Sequence, residues 1–182
     1  MFYVLILVLA FCLLVPVVIH NGLVTKRNDV RNAFATIDAQ LKKRWDLIPQ
    51  LVATVKGYAG HERGLFENLA SARREAMMTA AISPARLEPE SHLSSLIPQT
   101  LALAEAYPEL KASEQFMNLQ RNLTEVEAQI AAARRAYNAA IMSYNNSVEM
   151  FPSSLIASAG NFQRMPHFEI PVEERRPRAV DL

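Results

Sequence analysis

The chain has 182 residues, 51% of them apolar, with 19 basic and 18 acidic side chains and a net charge of +1. That apolar content excludes a disordered chain, and the near-neutral balance gives no electrostatic case for a nucleic-acid partner. The average also conceals a division: residues 1–19 hold no charge, and every charged side chain lies at Lys26 or beyond.

Met1 to Ile19 is apolar throughout except for Pro16. A hydrocarbon core about 30 Å thick requires roughly 20 helical residues, so residues 1–21 are expected to anchor the chain in a lipid bilayer, with His20 and Asn21 at the interface. A cleaved signal peptide is the alternative, but the segment lacks the basic side chains and small-residue cleavage site that such a peptide uses. Lipidation at Cys12 is a third reading, opposed by the bulky Phe11 before it. Lys26, Arg27 and Arg31, then Lys42, Lys43 and Arg44, crowd the C-terminal flank. Basic flanks stay inside, so the expected location is a bacterial inner membrane, with the N-terminus outside and the remainder in the cytoplasm. A single cysteine allows no intrachain disulfide.

From Val30 the apolar residues keep a heptad. Phe34, Leu41, Ile48, Val55 and Leu69 hold one position, with Val30, Ile37, Leu51, Tyr58, Leu65 and Ala72 at its partner. This period predicts helices packed at shallow angles. Arg44 and Glu62 interrupt it as polar residues in core register, about 27 Å apart along a straight helix. Each is therefore expected to find a partner on another helix and fix its register, with Glu125, Glu127 and Arg134 as candidates. Asp46 either caps a new helix with Pro49 in its first turn, or one long helix is kinked there; the surviving heptad phase favours a kink or tight break. Gly57, Gly60 and Gly64 mark a bend or a close helix approach.

The prolines at 84, 89 and 98 predict a connection holding a short helix near residues 92–97. A second short helix is expected at 99–106, stopped by Tyr107 and Pro108. Ser113 is positioned to cap the last long helix, whose apolar residues run by threes and fours from Phe116 to Phe151. Residues 163–182, rich in proline and charge, read as a mobile tail. Asp46, Pro49, Tyr107 and Pro108 are candidate helix-break residues forming a docking end.

Several strings resemble the LemA family of bacterial membrane proteins. They include Arg27-Asn28-Asp29-Val30, residues 37–44 (IDAQLKKR), residues 46–52 (DLIPQLV) and residues 55–62 (VKGYAGHE). Residues 105–112 (EAYPELKA), 133–138 (ARRAYN), Tyr144-Asn145 and Phe151-Pro152 continue the match in order. The resemblance implies an all-α fold: an N-terminal transmembrane helix, then an antiparallel four-helix bundle over residues 22–162. Trp45 departs from it, standing where the family often has histidine, and residues 83–99 match weakly.

His61-Glu62 is the most enzyme-like pair, but no second histidine follows at zinc-protease spacing, and Glu62 falls in the apolar register. No cofactor, metal site or catalytic residue is expected. The expected role is a membrane-anchored scaffold or interaction protein that associates with itself or with an unidentified membrane protein. The alternatives are an adaptor of a membrane protease or stress-signalling system and, less favoured by the residues, a metal-dependent hydrolase using His61 and Glu62.

Overall fold

A computed structural model describes residues 1–59, 62–78 and 87–166. The described chain is all-helical. Its elements are α1 (Phe2–Lys56), α2 (Arg63–Met78), α3 (Leu87–Ala102), a 3-10 turn (Leu103–Ala106), α4 (Pro108–Lys111), α5 (Glu114–Glu149) and α6 (Ser153–Ala159). They fall into two compact units: residues 1–37 with 132–182, and residues 38–131.

In the first unit, the beginning of α1 is the one helix among the described residues long and apolar enough to cross a membrane. Its large side chains, Phe2, Leu5, Leu9, Leu13 and Val18 among them, are exposed. Packing then begins abruptly, with Leu23 buried only four residues after Ile19. Val30, Phe34 and Ile37 continue the buried stripe of α1, while Ala133, Tyr137, Ile141 and Tyr144 form that of α5. The rings of Phe34 and Tyr137 meet edge to face at 5.8 Å, and Lys26 Nζ donates to Ser143 Oγ at 2.8 Å.

After α5 the chain turns at Met150 to Pro152, forms α6 and returns along the helices. Asn161 takes φ 53°, a left-handed conformation that asparagine tolerates better than most residues. Gly160 is required by space: a Cβ there would stand 2.6 Å from the ring of Phe162. That ring lies edge-on to His20 at 5.4 Å and under the Arg27 guanidinium at 5.2 Å.

In the second unit, one core joins Ile48, Leu51 and Val55 of α1 with residues of α2, α3 and α5, among them Leu69, Leu93 and Leu123. The interruption of α1 falls after Lys56, where Tyr58 N–H and Ala59 N–H both donate to Val55 O, and not at Pro49. The stripe from Phe34 to Leu69 is thus shared by two helices. At the turn Ala59 and Phe66, outside the expected register, are buried while Tyr58 and Glu62 of that register are exposed, and Leu69 and Ala72 resume it. Of the three glycines expected to bend the chain or let helices approach, Gly57 and Gly64 have open space or only their own helix around them. Neither is therefore a point of close helix approach. Gly60 and His61 lie outside the described residues.

Helix α1 continues through Pro49 because its lost hydrogen bond is replaced. Proline has no N–H to donate to the carbonyl four residues back, that of Trp45. Arg73 of α2 fills the position, its Nε donating to Trp45 O at 2.7 Å. Pro98 is likewise absorbed within α3, so the two short helices expected at 92–97 and 99–106 are one helix followed by a 3-10 turn. Helix α5 begins one residue after Ser113, whose Oγ accepts from Phe116 N–H at 3.5 Å. Residues 163–165, placed in the tail by the sequence pattern, are tied to α5, and residues 167–182 lie outside the described part.

Candidate functional site

Among the described residues Arg44 stands out, fully buried in the middle of α1. A guanidinium offers five N–H donors and cannot discharge, so burial obliges it to collect acceptors. Two helices supply them. Glu90 and Ser94 stand one turn apart on the same face of α3. Arg44 Nη2 pairs with Glu90 Oε2, and Nη1 donates to Ser94 Oγ at 2.5 Å. From α5, Glu127 Oε1 accepts from Nη1 at 2.8 Å.

The two carboxylates differ in their surroundings. The Glu90 side chain is 2% exposed and that of Glu127 is 34% exposed. The charge of Glu90 is therefore met inside the protein, by Arg44 among its neighbours, whereas water shares the charge of Glu127. Arg44 Nε is buried without a hydrogen-bond partner among the described residues. The cluster ties α1, α3 and α5 at one level of the second unit.

The sequence placed Arg44 in core register and Glu127 among its partners, and the structure brings them together. Glu90 escapes sequence reasoning because it falls in a proline-rich connection. The signal was present in Glu90 and Ser94, one helical turn apart, whose joint value depends on α3 starting at Leu87. Glu62 has a different fate from the one expected. It is exposed at the entry to α2, where its carbonyl accepts from Phe66 N–H at 3.4 Å, because the turn after Lys56 takes it out of the register.

The four docking candidates are not gathered at a helix break. Asp46 and Pro49 are exposed within continuous α1. Asp46 lines an open groove of about 350 Å³ with Lys43, Leu47, Asn122, Glu125 and Gln129. Tyr107 and Pro108 do mark a break: Tyr107 packs half-buried on the core, and Pro108 opens α4.

A second polar cluster holds the first unit together. Tyr144 OH donates to Gln163 O at 3.0 Å, and the Asn145 side chain pairs with the Met165 backbone through two hydrogen bonds of 2.9 Å. Burial raises the hydroxyl pKa of Tyr144, against a smaller opposing effect of Arg27, and burial likewise raises that of Tyr137.

The profile of the LemA family matches residues 33–182. The chain belongs to the LemA family. Among its LemA-family relatives, Protein LemA of Metamycoplasma hominis is 23% identical over 155 residues, covering 85% of this chain and 71% of the relative. Magnetosome protein MamQ of Magnetospirillum gryphiswaldense is 20% identical over 174 residues, covering 82% of this chain and 64% of its own length. Magnetosome protein MamQ 2 of Paramagnetospirillum magneticum is 21% identical over 175 residues, with the same coverage. This chain thus spans somewhat less than two thirds of the magnetosome relatives it matches.

Proposed function

We propose that this LemA-family chain is a single-pass membrane-anchored scaffold or interaction protein, with no catalytic step of its own. The observation that carries the reading is the continuity of α1. An exposed apolar segment of bilayer-spanning length passes within the same helix into a buried stripe at Leu23, Val30 and Phe34. Such a helix fixes the packed residues against a membrane surface, which raises their effective concentration toward membrane partners or toward other copies of the chain.

The order of contacts supports an antiparallel bundle. Lys26 meets Ser143 and Phe34 meets Tyr137, so advancing along α1 retreats along α5. In the second unit, residues of α1, α2, α3 and α5 share one core, in keeping with four helices. The proposed site of action is the cytoplasmic face of the inner membrane, from the basic residues that follow the span. Kinship with proteins named for a structure, the magnetosome, and not for a reaction, agrees with a structural role.

The test combines alkaline carbonate extraction of membranes with a topology reporter fused after Leu182. Retention in the membrane pellet and a reporter active only in the cytoplasm are expected. Release into the supernatant overturns the anchor, and a reporter active only in the periplasm reverses the topology. Light scattering on the detergent-solubilised chain measures self-association, and a strict monomer would leave scaffolding to a separate membrane partner.

A further inference from the structure

Outside the span, Met150, Phe151 and Leu155 are conspicuous within six consecutive residues at the turn from α5 into α6. They are 63%, 80% and 63% exposed. Such a group on a water-facing surface is unfavourable, because each apolar side chain gains by leaving water. Its position within the first unit indicates where it goes.

Lys26 and Ser143 are level, being hydrogen-bonded. Seven residues further along α5 lies Met150, about 10 Å beyond that contact at 1.5 Å per residue. Seven residues back along α1 lies Ile19, the last residue of the apolar span, by the same distance in the same direction. The contact of His20 with Phe162 places the return from α6 at that level independently. The exposed turn therefore stands where α1 leaves the span.

The polar residues around it suit a headgroup layer. The exposed Arg164 after α6 lies beside the turn, paired to Glu149 at 2.6 Å, and Lys26 and Arg27 on α1 follow about two helical turns further from the span. Basic side chains next to apolar ones are the composition of an interfacial contact, the charges facing lipid phosphates and the apolar groups entering below them.

We propose that the α5–α6 turn is a second membrane contact, with Met150, Phe151 and Leu155 inserted into the leaflet from which α1 emerges. The proposal rests on the reading of residues 1–19 as a span. It goes further, because a spanning helix alone would leave this turn free in water. With the turn inserted, the first unit touches the bilayer at two places and is held at a fixed orientation to it.

Environment-sensitive fluorophores on single cysteines, in a Cys12→Ser background, test both readings separately. The full chain is reconstituted in vesicles of phosphatidylcholine and phosphatidylglycerol, with and without brominated acyl chains. Labels are placed at Leu9 in the span, at Met150 and Leu155 in the turn, and at exposed Ala35, about 24 Å past Ile19 along α1. The expected result is quenching at Leu9 most strongly by deep bromines, at Met150 and Leu155 most strongly by shallow ones, and at Ala35 by neither.

Quenching at Leu9 with Met150 and Leu155 as wet as Ala35 overturns the second contact and leaves the span standing. Blue-shifted but unquenched labels at 150 and 155 mean that protein, such as a second copy, covers the turn, which also overturns it. An unquenched Leu9 overturns the span and the contact together. All the labelled positions are exposed, so the fold does not depend on the residues replaced.

Discussion

Replacing Arg44 by Met removes the charge and keeps most of the side chain's length. Glu90, with its side chain 2% exposed, then loses the guanidinium it is paired with, and breaking a buried pair in this way costs about 3–5 kcal/mol. Glu127 adds little, because its side chain is 34% exposed and solvent compensates it. Urea unfolding of the detergent-solubilised chain, followed by circular dichroism at 222 nm (the far-ultraviolet helix band), reads the loss as a lower midpoint at unchanged slope. Adding Glu90→Leu to Arg44→Met removes the stranded carboxylate and should return most of the stability, since an apolar replacement of a buried pair is commonly neutral or stabilising by about 1–4 kcal/mol. Glu127→Gln alone should cost no more than about 1 kcal/mol. A loss below about 1 kcal/mol for Arg44→Met, or no recovery in the double variant, would refute the argument that Arg44 is held in place to neutralise Glu90.

Arg73→Ala leaves the Trp45 carbonyl without its side-chain donor at the level of Pro49, and should cost about 1–3 kcal/mol in urea unfolding while Pro49→Ala in the same background restores much of it. Asn145→Leu breaks both hydrogen bonds to Met165, so limited proteolysis should cut near residues 163–166 faster than in the parent chain. For Tyr137 the folded-state pKa lies above the unfolded one, so its contribution to stability is complete below about pH 10 and is lost as pH rises through the folded value. Tyr137→Phe should flatten that alkaline decline in a pH series of thermal melts, and an unchanged decline would assign it to other groups.

The helices were legible because spacings of three, four and seven survive burial on one face: Val30, Phe34, Ile37, Leu41 and Ile48 are all buried in α1. Their ends were less legible, because local signals for a break compete with tertiary contacts that repair it. Pro49 looks like a stop until Arg73, a side chain 28 positions from the Trp45 carbonyl, supplies the missing donor. Pro98 also lies inside a helix, α3. Half of the buried cluster could be read, since an arginine in an apolar register must find carboxylates, and Glu127 was among those in reach. Glu90 could not, because the helix expected near residues 92–97 starts at Leu87, an extension that the local prolines conceal and that packing of Leu93, Leu96 and Ile97 into the core stabilises. Glu62 failed for the converse reason: periodicity cannot tell a helix from two helices whose turn preserves the count.

Continuity between span and packing has a consequence that the membrane contact at Met150, Phe151 and Leu155 makes measurable. Leu23 is buried and His20 touches Phe162, so the first unit has no slack between the end of the span and its own first packed turn. Its height above the bilayer is then set by the number of helical residues between them. Seven alanines inserted after Asn21 extend α1 by two turns, about 10 Å, and rotate it by only about 20°, because seven residues fall just short of two full turns of 3.6. Alanine favours helix, so the insert lengthens the rod without loosening it. The contacts beyond the insert, Lys26 with Ser143 and Phe34 with Tyr137, stay in register and carry α5 and α6 upward with them. A fluorophore at Leu155 should move from shallow-bromine quenching to the aqueous behaviour of Ala35, while one at Leu9 keeps its deep quenching. Seven residues of glycine and serine in the same place form a flexible link and should let the turn return to the interface. A label at Leu155 that stays immersed with the alanine insert would mean that α1 does not act as a rigid spacer.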